Sequence, residues 1–339
     1  MKKIIVPLFT ALALMALAVA CAKVESTTSN DPEKEYLEAW LKVNHPSAKK
    51  HARGVYILDE TIGTGTELTD ETMKKCYAYL QYTVSSLDGT IASTYFEDVA
   101  KRIGSYDASS YYGAVPWSFQ EGEIEAGLYD MMKGMKVGGP RTVLVPGWLM
   151  SYESYDTAEE YLKNETGASS IYTVSLQGTI EDVRQWQIDS IKKYSAKYLG
   201  GVDSTLYGHY YKTFIEPVDT AKLKADTTVY VNYVGSLLNG TVVDTNIADT
   251  AKLYGLYKES RSYAPTKVEI KEDYKDITFG GSSQTITGFK YALSKMKAFE
   301  KGRAVFISDL GYGMQGSQPT IPPFSPLAFD LELVDAPEN

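Results

Sequence analysis

The side chains most often used for covalent, acid–base or metal chemistry are few here and poorly placed for it. The three histidines, His45, His51 and His209, are scattered and share neither metal-ligand nor triad spacing. The two cysteines, Cys21 and Cys76, form no cysteine-rich metal motif and no disulfide framework. No glycine-rich phosphate loop follows a strand-like segment. The histidines are therefore assigned no role, Cys76 is expected to be a buried thiol in an apolar strand-like segment, and neither a metal nor an organic cofactor is expected. Any chemistry must come from aromatic, aliphatic and isolated polar residues gathered by the fold.

The chain's 339 residues suffice for two or three domains, and 44% hydrophobic with 23% charged residues is ordinary for a globular protein. Residues 1–20 stand apart: Lys2 and Lys3, an apolar run from Ile4 to Ala20 and small residues before Cys21 read as a signal peptide. The stretch Leu17-Ala18-Val19-Ala20-Cys21 resembles a bacterial lipoprotein signal, with Ala18 where leucine is usual, and implies lipidation of Cys21. Plain secretion or an uncleaved anchor is the alternative. Membrane contact is then through lipid rather than a spanning helix. The formal net charge is −9 and the basic residues are dispersed, which argues against a nucleic-acid partner. Residues 21–52 hold a polar tether and then a short amphipathic helix: Asp31 is its capping residue, Pro32 and acidic residues form the first turn, and Tyr36, Leu37, Trp40 and Leu41 follow at helical spacing. That stripe is expected to dock on a neighbouring domain.

An internal repeat organises the rest. Gln81–Thr90 (QYTVSSLDGT) lies over Asn232–Thr241 (NYVGSLLNGT). Each reads as a hairpin, with Asp88-Gly89 and Asn239-Gly240 expected to supply the two positive-φ residues of a type I′ turn. Further along, Gly127–Lys136 matches Gly288–Lys297 at identical internal spacing, each a short amphipathic helix. Strands then follow at Arg141–Val145 and Arg303–Ile307, with closing strands at Ser170–Leu176 and Leu327–Val334. That order implies an α+β protein with antiparallel sheets. Between the copies, Val183, Trp186, Ile191, Tyr194 and Tyr198 fall on one arc of a connecting helix that Gly200-Gly201 stops.

In the second copy, NYVGSLLNGTVVDTN, FGGSSQTITGF and GYGMQGSQPTIPPFSPLAFDLEL together resemble, in order and spacing, the FKBP family of peptidyl-prolyl cis-trans isomerases. The resemblance implies two FKBP-like domains, each a curved antiparallel sheet wrapped on a short helix, at 53–182 and 205–339, joined by the helix of 183–204. It also implies a pocket for a proline ring made by Tyr233, Asp244, Ile286, Phe289, Tyr312, Ile321 and Phe329. In the family's scheme the Ile286 N–H and the Tyr312 hydroxyl hold substrate carbonyls, while Asp244 paired with Tyr233 sets the pocket's polarity. Val243 stands where phenylalanine is usual, Thr285 replaces an aliphatic residue, Phe289 replaces the common tryptophan, and residues 247–277 are a long insertion rich in tyrosine. The first copy keeps Tyr82 and Tyr172 but places Ser93 at the acid's position, Glu125 at that of Ile286 and Leu128 at that of Phe289. Its counterpart of Tyr312 is displaced to Tyr152, and it lacks the Ile-Pro-Pro run, so its pocket is expected to be altered or closed.

The chemistry implied is modest in kind. Amide resonance opposes rotation about C–N with a barrier of about 18–20 kcal/mol. A water-poor pocket disfavours the more polar planar form, and desolvation with positioning has to remove about 7 kcal/mol, or about 10⁵-fold in rate. The function implied is a lipid-anchored isomerase aiding exported proteins in the periplasm or at the outer membrane of a Gram-negative bacterium. Proline-containing peptides or unfolded exported proteins would be its substrates, and macrolides alternative occupants of the pocket. The rival is a noncatalytic binding module or holdase on the same fold, since fold alone does not carry activity.

Overall fold

The computed structural model describes residues 30–163, 167–201, 203–217 and 223–337; the segment expected to be a signal peptide and Cys21 lie outside the described residues. Two antiparallel sheets are built to one plan. The first contains β1 (Lys49–His51), β2 (Val55–Glu60), β3 (Tyr77–Ser85), β4 (Ile91–Thr94), β5 (Val115–Trp117), β6 (Pro140–Val145) and β7 (Ser170–Ile180) in the order β1-β2-β6-β7-β3-β4, with β5 also on β3. The second contains β8 (Asp203–Leu206), β9 (His209–Ile215), β10 (Thr228–Leu237), β11 (Val242–Thr245), β12 (Thr266–Glu269), β13 (Thr278–Phe279), β14 (Lys301–Phe306) and β15 (Leu327–Val334). Its order is β13-β12-β10-β15-β14-β9-β8, with β11 also on β10. Each copy thus has a long central hairpin strand clasped by its closing strand, β3 by β7 and β10 by β15. The protein is α+β, with two FKBP-like units.

The helices are α1 (Asp31–Asn44), α2 (Asp70–Met73), α3 (Glu97–Ile103), α4 (Ala126–Met132), α5 (Ala158–Tyr161), α6 (Val183–Tyr198), α7 (Ala248–Leu253) and α8 (Thr287–Lys295). The repeated helices α4 and α8 lie close against their sheets, and glycine makes that approach possible. A Cβ on Gly127 would come within 2.6 Å of Val145, and one on Gly288 within 2.5 Å of the Phe306 ring. Leu128, Met131 and Met132 join the first core, and Phe289, Ala292 and Leu293 the second. Burial of this apolar face, more than helix propensity, is what stabilises helices so short.

Four expectations change. Both hairpins form, but only Gly89 and Gly240 have positive φ, so the turns are three-residue loops ending in a left-handed glycine rather than type I′ turns. Asp88 and Asn239 instead use their side chains, each accepting from the backbone N–H of the threonine two residues on. Asn30, not Asp31, stands at the N-cap position of α1 and makes no side-chain cap, and the helix docks on the first core through Leu37 and Leu41 while Tyr36 stays exposed. Helix α6 buries Gln187, Ile188, Ile191 and Ser195, leaving Tyr198 in solvent, because Ile188, Ile191 and Leu199 pack on Val305, Ile307 and Ala328 of the second sheet. Cys76 precedes β3 and is half-buried, and burial holds its thiol above the usual range.

The region 247–277 is also not simply an insertion. Helix α7 followed by a loop and β12 repeats the α3, loop and β5 of the first copy at constant spacing. The residues without a counterpart lie between β12 and α8, where β13 adds an edge strand to β12.

Candidate functional site

Tyr233 sits mid-strand on β10, opposite Leu331, and its ring turns toward α8. Two residues on, Gly235 pairs with Phe329 of β15, and a Cβ there would fall 2.7 Å from the Phe329 ring. The glycine thus leaves room for Phe329 on the sheet's inner face. Phe289, on the first turn of α8, meets Tyr233 edge to face at 5.7 Å and Phe329 at 5.2 Å. Phe279 closes the same aromatic box, 5.0 Å from Phe289 and 5.6 Å from Tyr233. Such edge-to-face geometry fits the ring quadrupoles and holds each ring in one orientation.

Above the rings is an open hollow of about 380 Å³, lined in part by Tyr233, Asp244, Ile286, Phe289, Tyr312, Ile321 and Phe329. All seven residues implied by the sequence therefore meet at one place. Val243 and Thr285, where the sequence departs from the family pattern, line it too, as do Phe279, Gln284, Ser317 and Thr320. Ile286 is the N-cap of α8, so its N–H finds no carbonyl within that helix. Tyr312 comes from the loop after β14 and remains partly exposed; burial and the charge of Asp244 hold its hydroxyl above the usual pKa.

The acid is held from two sides. The Tyr233 hydroxyl donates to Asp244 at 2.7 Å, and Arg261 donates to Asp244 at 2.5 Å and to the Tyr233 oxygen at 2.9 Å. Burial, followed by the Asp244 charge, raises the Tyr233 pKa, so the phenol stays protonated and available as a donor. Burial works against the Arg261 charge, but the hydrogen bond and charge of Asp244 outweigh it and raise the guanidinium pKa. Arg261 was not among the residues singled out by the sequence. The signal for it lies in the repeat: Ser93 replaces the acid and Ser110 stands in the place of Arg261, so the first copy lacks both members of the pair.

The first copy's equivalent space is arranged differently. Tyr95 and Trp117 each pack on Tyr82 with ring centroids 4.9 Å apart, and Val84 takes the place of Gly235. Glu125 is the N-cap of α4, as Ile286 is of α8, and its carboxylate raises the pKa of the exposed Tyr152. A larger hollow of about 510 Å³ lies beside α4. Its buried-side cation, Arg53, is already committed to Asp130, Tyr161 and the Ala126 carbonyl.

An antiparallel sheet over a short helix, with a hollow at the helix start floored by aromatic rings, is shaped to receive a compact apolar group. Residues 219–334 match the family model for FKBP-type peptidyl-prolyl cis-trans isomerase. The chain is 31% identical over 126 residues to FK506-binding protein 2 of Candida glabrata, covering 36% of this chain and 76% of that protein. It is 32% identical over 146 residues to a probable FKBP-type peptidyl-prolyl cis-trans isomerase of Haemophilus influenzae, covering 42% of this chain and 49% of that one. With peptidyl-prolyl cis-trans isomerase FKBP11 of Bos taurus it shares 29% over 125 residues, 36% of this chain and 50% of the relative. The chain spans about half the length of these last two curated relatives. It belongs to the FKBP-type peptidyl-prolyl cis-trans isomerase family.

Proposed function

We propose that the chain is a peptidyl-prolyl cis-trans isomerase whose second copy carries the activity. The observation that supports this most is the convergence of Tyr233, Ile286, Phe289, Ile321 and Phe329 on one hollow with Asp244 held at its edge. In this reading the proline ring enters the aromatic box, and the X-Pro amide leaves water. The planar amide, the more polar form, then loses solvation that the twisted form needs less. The Ile286 N–H and the Tyr312 hydroxyl orient the flanking carbonyls, and Asp244 polarises the rim. The first copy, with its phenol covered by Tyr95 and Trp117, is proposed to be inactive. The chain is proposed to be exported, anchored in the membrane through a lipid on Cys21 and turned toward unfolded exported proteins; the run before Cys21 supports this.

The test is catalysis of cis/trans exchange in a short X-Pro peptide by the full chain, compared with Phe289→Ala and Asp244→Ala. A rate well above the uncatalysed one, cut about 10-fold or more in each variant, is expected from losing groups that position the substrate. If wild type gives only the background rate yet suppresses aggregation of an unfolded client, and the variants do so equally, the holdase reading replaces the enzyme.

A further inference from the structure

The loop after α3 and the loop after α7 are copies with different attachments. In each, two tyrosines stack: Tyr106 with Tyr112 at 5.4 Å, and Tyr257 with Tyr263 at 5.0 Å. In each, the residue after the first tyrosine donates its N–H to the second hydroxyl at 3.0 Å. Lys101 and Lys252 cover the matching rings Tyr106 and Tyr257. The second loop sends Arg261 into its own pocket to hold Asp244. The first loop has Ser110 there, and Ser93 stands in the acid's place, so the first copy has no such pair to form.

Its tip reaches the other copy instead. The Tyr111 N–H donates to the Pro319 carbonyl at 2.9 Å, and the Thr320 hydroxyl donates to the Ser109 carbonyl at 2.6 Å. The Tyr111 side chain packs against the second core. Ala108 lies so close to the second loop that a Cβ on Gly255 would be 3.0 Å from it. The turn it grips is one wall of the hollow, since Ser317, Thr320 and Ile321 line it. Within the turn, Ser317 and Ile321 exchange backbone hydrogen bonds of 2.7 and 2.8 Å, and the Ile321 side chain is buried in the second core.

We infer that the first copy serves the second as a positioning element: its 108–111 tip clamps the 317–321 wall and so sets the shape of the substrate hollow. Its kinetic consequence rests on the isomerase reading, and its structural consequence does not. A copy that has lost the Asp and Arg of its own pocket thereby keeps a task.

The experiment uses the full chain with Tyr111→Ala and, separately, Ala108→Lys, against Tyr106→Phe as a control that keeps the loop's ring stack. Backbone hydrogen exchange is followed at 317–321 and in β10 and β15. The clamp predicts faster exchange at 317–321 in the first two variants, no change in β10 and β15, and none anywhere in the control. On an X-Pro peptide, KM should rise about 2- to 10-fold with kcat little changed, because losing the tip's packing loosens the two backbone-mediated hydrogen bonds that hold the wall. Unchanged exchange at 317–321, or a uniform rise through β10 and β15, would overturn the clamp. If wild type turns over no peptide, the isomerase reading fails while the exchange result still decides the clamp.

Discussion

A carboxylate beside aromatic rings persists there when its charge is answered locally, and Asp244 is answered by a phenol and a guanidinium. Both the acid and Arg261 are more than a third exposed, so their pairing adds well under about 1 kcal/mol to stability. Its weight lies in orientation, because a fixed Asp244 fixes the Tyr233 ring that forms one side of the box. The opposite case is His209. It is fully buried, stacks on Phe306 at 5.6 Å and donates Nε2–H to the Gly288 carbonyl at 3.0 Å, beneath the hollow. Burial pushes its pKa from 6.5 down to about 4. As pH falls, the unfolded chain takes up this proton first. The neutral histidine's contribution is therefore intact above about pH 6.5, declines below it, and is spent near pH 4. The full loss is about 3 kcal/mol. In denaturant titrations at pH 7 and pH 5, wild type should lose about 2 kcal/mol more than His209→Val. An identical pH response in the variant would show that His209 is not the group responsible.

At the scale of elements, one strand position differs between the copies just where the hollow's aromatic wall is set. β3 and β10 occupy the same place in their sheets, yet β10 has Gly235 where β3 has Val84. Gly235→Val supplies a Cβ 2.7 Å from the Phe329 ring, which must move into the hollow or out of its rotamer. Overpacking of this kind costs about 1–3 kcal/mol, leaving the fold intact. Displacing a lining ring by an ångström is expected to cut peptide turnover about 100-fold. Circular dichroism separates the outcomes: full turnover in a folded variant would mean that Phe329 does not shape the substrate site.

The same elements mark how far the sequence could be read. The hairpins and the repeated helices were legible because turn chemistry and short-range spacing are local, and the seven pocket residues because the family resemblance carried them over position by position. Arg261 was not, since it lies 17 residues from Asp244 and reaches it only through the loop's fold. The α7 loop read as an insertion when set against the family, and as a duplicate once set against the chain's own first half. The buried face of α6 was misjudged for a physical reason. Its apolar arc was assigned as if for one partner, whereas the helix lies between two.

At the scale of the molecule, α6 joins the copies more firmly than a tether would. Trp186 meets Tyr79 of the first sheet at 5.5 Å, while Ile188 and Ile191 cover the back of the second. Between them Gln187 is buried, accepting from the Ser308 N–H at 2.6 Å and donating to the Ser308 hydroxyl at 3.0 Å. The adjacent Arg184 to Asp309 pair is exposed on both sides and adds little. Gln187→Leu keeps the volume and strands a buried N–H, at a cost of about 1–3 kcal/mol carried by the second copy. The four tryptophans, Trp40, Trp117, Trp148 and Trp186, leave none in the second copy, so indole fluorescence follows the first copy and the joint while far-UV dichroism follows both sheets. In wild type the two signals should change together with denaturant, because α6 and the 108–111 tip tie the copies into one cooperative unit. In Gln187→Leu, part of the dichroism should be lost at lower denaturant, before the fluorescence moves. If both signals keep the wild-type midpoint, the Gln187 to Ser308 contact does not hold the second copy to its helix, and cooperation between the copies must come from the loop clamp alone.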